Sequence, residues 1–353
     1  MIFELLKLCI EKNASDLLFK TGYPPILKID GNMQQLTKMP KITRKDFDTM
    51  LDEILDDSQK TVFHKKQKLD FGYSFYEARF RVNLFKDLRG GNAGFRIIPF
   101  KELTFDYIGL PLSAQKFANQ RNGLVLVTGN SGSGKSTTLS TFINYINSNF
   151  RKSIITIENP IEYIFDDNKS MISQRQVGVD CESFEEGIAD ALQIGSDVIF
   201  ISELINAKEV EICLQAAESG KLVFAIIQGN SSKQAIDRFI KLCPKYSQNQ
   251  TASRLAKYLI GTIAQTLVAK KTEAGRIAAY EIFINSSNGK KVIAEKKLQL
   301  INSLIDSGSS EGMVSLDNYI IKLIQSGKIT KEEGIAKANN RLIVKQKLEA
   351  QKH

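Results

Sequence analysis

The eight residues Gly129-Asn130-Ser131-Gly132-Ser133-Gly134-Lys135-Ser136 satisfy the pattern G-x-x-x-x-G-K-S/T at every defined position. Such a loop is constrained to bridge a buried strand and the helix that follows it. Its glycines let successive backbone N–H groups turn toward one anion, while Lys135 reaches the β and γ phosphates and the Ser136 hydroxyl is offered to Mg²⁺. The flanks agree. Leu124-Val125-Leu126-Val127-Thr128 is a continuous apolar run suited to a parallel strand, and Ser136 to Ile143 begins a helical pattern, so Gly129 to Thr137 is the candidate nucleotide-contact segment. A nucleoside triphosphate, with ATP first, is the expected ligand.

At 353 residues the chain has room for two or three domains of roughly 150 residues each. Its hydrophobic fraction of 42% and charged fraction of 25% are those of a globular protein. No apolar run approaches the roughly 18 residues that would cross a bilayer, and charge of both signs appears early, in Glu4 and Lys7. A cytoplasmic protein without membrane insertion is expected. Cys9, Cys181, Cys213 and Cys243 lie far apart with no C-x-x-C pair, which points away from a zinc site or a disulfide framework. The net charge of +9 is spread over short pairs such as Lys65-Lys66 and Lys270-Lys271, without interleaved aromatics. That pattern reads as a solvated surface, so no nucleic acid partner is expected.

Residues 1–98 read as a small α/β unit. Phe3, Leu5, Leu6, Cys9 and Ile10 fall at helical spacing; Pro24 to Ile29 reads as a strand ending in an Asp30-Gly31 turn; Thr43-Arg44-Lys45-Asp46 marks a helix start. In Ala78 to Phe85 strict alternation places Arg79, Arg81 and Asn83 on one sheet face and Phe80, Val82 and Leu84 on the other. Gly94 to Ile98 returns as a strand closed by Pro99. Residues 99–111 read as a linker and hinge. From 112 to 353 strand and helix patterns alternate as in a mainly parallel sheet, with further strands at 153–157, 197–201 and 222–227 and a helical C-terminal part whose tail from Lys345 is expected to fray.

Phosphoryl chemistry needs a metal-facing acid, a group that orients water, and positive charge for the γ-phosphoryl. Glu203 follows the apolar run Val198 to Ile201, the place of a metal-holding acid on a strand beside the loop strand. Glu158 and Glu162 flank Asn159-Pro160 at the end of another strand. Gln228 ends the 222–227 strand and can hydrogen-bond a phosphate oxygen or water, though an amide cannot exchange a proton as imidazole does.

The segments 123–138, Thr156-Ile157-Glu158-Asn159-Pro160-Ile161-Glu162-Tyr163, 197–203 and Ala217-Glu218-Ser219-Gly220 together resemble the PilT/PilU type IV pilus retraction ATPases, of the secretion-ATPase superfamily. The resemblance spans nearly the whole chain, through Ala14-Ser15-Asp16-Leu17, Pro24-Pro25, Ala78 to Asn83, Arg89-Gly90, Gln174-Arg175, Ile236-Asp237-Arg238 and Gly312-Met313; the ending with Gly327, Ile329 and Thr330 leans toward the PilU branch. It implies an α/β chain with a PAS-like N-terminal domain and a RecA-like P-loop ATPase domain, forming a homohexameric ring with ATP between subunits. It also implies that Arg79, Arg81 and Arg96 supply charge across the subunit boundary. A platform protein at the cytoplasmic face of the inner membrane and a paralogous retraction ATPase are the implied partners.

The chain departs from the family pattern at Asn159, Ser202 and Ile205, at Lys221 and Gln228 where the family has histidines, and in Asn288 to Glu295, where the A-I-R-N-L-I-R-E segment keeps only its isoleucine and final glutamate. The nucleotide-holding residues remain while the losses fall on turnover and force transmission. Two readings stay open: a motor for pilus retraction in twitching motility, and a catalytically weak nucleotide-binding paralogue acting as a structural or regulatory subunit.

Overall fold

The computed structural model describes residues 1–29, 32–76, 78–98, 103–272 and 275–350. The expected Asp30-Gly31 turn, the closing Pro99 and the 99–102 part of the expected linker lie outside the described residues. Two compact units form: Met1–Lys101 joined by Asn159–Ile164, and Glu102–Glu158 joined by Phe165–His353.

In the first unit β1 (Asp16–Lys20), β2 (Ile26–Ile29), β3 (Asn32–Gln35), β4 (Lys68–Phe75), β5 (Ala78–Asp87) and β6 (Gly90–Ile98) make an antiparallel sheet in the order β3-β2-β1-β6-β5-β4. The alternation in β5 is realised, with Phe80, Val82 and Leu84 fully buried and Arg79, Arg81 and Asn83 on the opposite face. Helices Ile2–Glu11, Arg44–Ile54 and Asp57–Lys66 cover the apolar face, bringing Leu5, Leu6, Phe47, Met50 and Phe63 against Phe80 and Phe95. The second of these starts at a complete capping box, in which the Thr43 hydroxyl accepts from Asp46 N–H and the Asp46 carboxylate accepts from Thr43 N–H. This is the small α/β unit that the sequence pattern predicts.

The second unit holds β7 (Gly123–Thr128), β8 (Ser153–Glu158), β9 (Met171–Gln176), β10 (Val198–Ile201), β11 (Leu222–Ile227), β12 (Leu259–Ala269) and β13 (Arg276–Ile284) in the order β13-β12-β7-β11-β10-β8-β9. All neighbours run parallel except β13, which folds back antiparallel on β12. Strands β7, β10 and β11 are buried along their whole length because helices cover both faces. Leu124, Leu126, Val223 and Ala225 pack on one side with Val210, Ile236 and Phe239, whereas Val125, Val127, Phe224 and Ile226 meet Phe142 and Ile143 of the Lys135–Asn149 helix on the other. A single apolar run thus feeds two cores.

Two expectations need correction. Leu103, Phe105, Ile108 and Leu110, placed in a 99–111 linker, are buried; the last three belong to the second unit's core, and Tyr280 donates to Ile108 O at 3.0 Å. Short apolar spacing around a Gly109 turn hid this packing. The tail does not fray at Lys345: a helix runs Arg341–Ala350 with Val344 buried, and Asp317 accepts from Asn339 and Asn340 N–H at 2.7 and 2.9 Å just before it. That carboxylate satisfies backbone donors which the local sequence leaves open.

Candidate active site

Gly129 to Gly134 joins β7 to the Lys135–Asn149 helix, and glycine is required by geometry at both ends. At Gly129 (φ 155°) an added Cβ would lie 2.4 Å from Ser133 Oγ and 2.5 Å from Gln265 O, and Gly134 (φ 88°) is the left-handed N-cap of the helix. With no side-chain cap there, the first helical N–H groups are left open to an anion. The Lys135 ammonium folds over the loop and donates to Gly129 O at 2.9 Å and Asn130 O at 2.8 Å. Among the described residues the buried Ser133 Oγ has no hydrogen-bond partner, an orphaned group that a phosphate oxygen would satisfy. Ser136 and Thr137 lie in the first turn of the helix, partly exposed.

Parallel pairing carries the other candidates to the same edge. Register puts Thr128 beside Ile227, and Ile201 beside both Ala225 and Ile157, so Gln228, Glu203 and Glu158 follow at the carboxyl ends of consecutive strands β11, β10 and β8. Gln228 Nε2 donates to Glu203 Oε1 at 2.8 Å. Glu158 Oε1 accepts from Thr156 Oγ1 at 2.7 Å and Gln174 Nε2 at 3.1 Å, which fixes one carboxylate edge. The expectation that Glu203 ends a strand beside the loop strand is corrected: β11 intervenes, so Gln228 is on the immediate neighbour and Glu203 one strand further out. Strand runs of equal apolar character cannot be ordered by periodicity.

Glu162, read beside Glu158 in the sequence, falls in the other unit. It belongs to the Asn159–Ile164 excursion in the first unit, where its Oε1 accepts from Arg81 Nη1 at 3.3 Å. Arg81 also pairs with Asp70 at 2.8 Å, and these carboxylates, Asp70 foremost, raise its pKa further. Arg79 donates to Ile161 O at 3.1 Å and to Ser74 Oγ at 2.9 Å. Arg96, its side chain 68% exposed, pairs with Asp16 at 2.8 Å.

A residue that braces the candidate site escaped the sequence. Gln265 of β12 is 4% exposed and grips the loop from beneath: its Nε2 donates to Ser133 O at 2.8 Å and its Oε1 accepts from Thr138 Oγ1 at 2.8 Å. A glutamine buried in a largely apolar strand must find partners, and that was the available signal. Gln265→Leu removes both contacts and leaves Ser133 O buried without its amide donor, at about 1–3 kcal/mol, while Thr138 keeps its contact with the Tyr280 hydroxyl. Fluorescent-nucleotide titration is expected to show a Kd rise on the order of tenfold, with a fall in thermal midpoint of several degrees.

Beside the loop opens a cavity of about 430 Å³ lined by Tyr107, Gly134, Thr137, Leu267, Arg276 and Tyr280, a mixture of apolar surface and cationic or hydroxyl groups. Among the described residues no cluster of three or more His, Cys, Asp or Glu offers a metal cage. Mg²⁺ fits such a site, since it keeps several waters and takes few protein ligands besides phosphate oxygens.

A phosphate loop, two carboxylates and an amide aligned on the carboxyl edge of a parallel sheet define a RecA-like P-loop nucleotide-binding protein. The chain belongs to the type II/IV secretion system protein family, which matches residues 67–302. It is similar to the type IV pilus retraction ATPase PilT of Pseudomonas aeruginosa, 36% identical over 338 residues, covering 96% of this chain and 98% of that protein. The type IV pilus ATPase PilU of the same organism is 32% identical over 351 residues, covering 98% and 92%. The crystal structure of the pilus retraction motor PilT with bound ADP matches with a TM-score of 0.88 at 34% identity, over 98% of this chain and 99% of that one.

Proposed function

We propose that this chain is an ATP-hydrolysing motor for type IV pilus retraction. The observation that carries the reading is the alignment of Lys135, Gln228, Glu203 and Glu158 on one sheet edge, within a chain that PilT covers almost end to end. Lys135 and the helix N-terminus hold the phosphates; the cavity beside Thr137 takes base and ribose. Ser136 and Glu203 hold Mg²⁺, which when bound neutralises charge on the phosphates. Glu158 and Glu203 orient water, and Gln228 senses the γ-phosphate through its amide.

Arg79, Arg81 and Arg96 supply charge to a neighbouring subunit in a ring, a hexamer by family resemblance. Arg96 is the most readily released, because an exposed ion pair is worth only about 0–1 kcal/mol. Arg81 already has two carboxylate partners. The ring works in the cytoplasm at the inner-membrane face, against a platform protein.

One observation favours the second reading, a slow paralogue that joins a faster ATPase: the group facing Glu203 is an amide that cannot titrate. Phosphate release by the purified protein, alone and mixed with a PilT-type paralogue, tests both. Mg²⁺-dependent turnover by the protein alone is expected. No release alone but a mixture rate that differs from the paralogue's own assigns the subunit role, and no release alone with the paralogue's rate unchanged rejects the motor.

A further inference from the structure

Glu281 lies on β13, is 5% exposed, and serves neither phosphate nor metal. Burying a carboxylate is costly unless hydrogen bonds compensate. Here Oε1 accepts from the backbone N–H of Ser232 at 2.7 Å, the first residue of the Ser232–Leu242 helix, so charge and helix N-terminus face one another. Burial pushes the carboxyl above the usual range, the Ser232 N–H opposes this, and the more distant charges that reach it, Asp317 and Asp306, are acidic and push it further up. A leucine would fill this strand position at less cost, so the carboxylate is kept for what it holds.

It holds one end of the loop that carries Gln228. Along that loop Gln228 donates to Glu203, Gly229 O accepts from Thr128 Oγ1 at 3.0 Å, Asn230 N–H donates to Gln234 Oε1 at 2.9 Å, and the Ser231 hydroxyl caps Gln234 N–H. The loop is tied at Gly229 to the residue just before the phosphate loop and at Ser232 to Glu281. Strand pairing lines these anchors up, since Ala264 of β12 sits between Thr128 and Glu281. Gln265, the next residue on β12, holds the phosphate loop itself. The β12–β13 hairpin therefore grips both nucleotide-facing loops.

We infer that Glu281 is a positioning residue that, through Ser232 and the first turn of its helix, sets the 228–231 loop so that Gln228 responds to bound nucleotide. This rests on the ATPase reading of the site for its consequence in turnover, but not for the anchoring itself. Hydrogen exchange separates the two. In the full-length parent a non-hydrolysable ATP analogue is expected to slow exchange in both 129–137 and 228–235. In Glu281→Ala protection of 129–137 remains while that of 228–235 is lost, and 228–235 exchanges faster without nucleotide as well. Glu281→Gln, whose amide oxygen still accepts from Ser232, restores the parent pattern. Ser232→Pro gives a second route, because proline suits the first helical position and removes the backbone donor, together with the Ser232 hydroxyl that also reaches Glu281. It is expected to reproduce Glu281→Ala.

In turnover, kcat falls on the order of tenfold in Glu281→Ala and Ser232→Pro with nucleotide Kd within about twofold, and returns in Glu281→Gln. Unchanged exchange of 228–235 in both Glu281→Ala and Ser232→Pro overturns the inference. Absent protection of 129–137 in the parent overturns the nucleotide reading instead, leaving the anchor to be judged on exchange without nucleotide.

Discussion

Lys135→Ala is expected to lose nucleotide binding and, with it, all ATP hydrolysis. The Lys135 ammonium is the phosphate loop's own cation, held 2.9 Å from Gly129 O and 2.8 Å from Asn130 O. A polyanion entering the loop offers that ammonium charged acceptors in place of two neutral carbonyls, and a hydrogen bond to a charged group is worth about 1.5–3 kcal/mol net. Two phosphates engaged by one ammonium therefore place the affinity loss on the order of 100-fold or more. Folding is affected less than binding, because Asn130 O is exposed to water, although Gly129 O, on a buried residue, gives up a donor. Calorimetric titration with ADP and with a non-hydrolysable ATP analogue, beside a thermal melt, checks both halves. A Kd within about threefold of the parent contradicts the role given to Lys135.

The loop that governs this result was legible because its chemistry is compressed into consecutive residues. Gly129 and Gly134 are glycines for the reason seen in space: one would place a Cβ against Ser133 and Gln265, and the other must turn left-handed into the helix. The continuous apolar runs of β7, β10 and β11 announced parallel strands covered on both faces, and the alternation in β5 announced its two faces. Strand order was not legible. Val198 to Ile201 and Leu222 to Ile227 are equally apolar, and only tertiary pairing decides which lies next to β7. Gln265 and Glu281 were missed because each is a lone polar residue whose partner is distant, 132 residues from Ser133 and 49 from Ser232. Glu162 misled in the opposite way: four residues from Glu158 in sequence, it leaves with the Asn159–Ile164 excursion to meet Arg81.

Glu203→Gln is expected to keep nucleotide binding within a few-fold of the parent while kcat falls on the order of 10² to 10³. The substitution preserves size and removes the carboxylate from the carboxyl end of β10, where it receives the Gln228 amide at 2.8 Å. Because Gln228 has no proton to exchange, its part is to aim that carboxylate and to contact the γ-phosphate. Gln228→Ala should therefore cost less, on the order of tenfold in kcat, through a mobile Glu203. The pair acts as a unit, so Glu203→Gln combined with Gln228→Ala should turn over no more slowly than Glu203→Gln alone. Steady-state phosphate release and nucleotide titration on the four proteins measure this cycle. Multiplying losses in the double variant would show that the amide works on the nucleotide independently of the carboxylate, whereas a full-rate Glu203→Gln would remove Glu203 from the chemistry and leave Glu158 as the acid on this edge. Gln228→His adds a direct contrast: imidazole beside the carboxylate introduces a group that titrates near neutrality, so the variant's kcat should acquire a pH dependence between about pH 6 and 8 that the parent lacks.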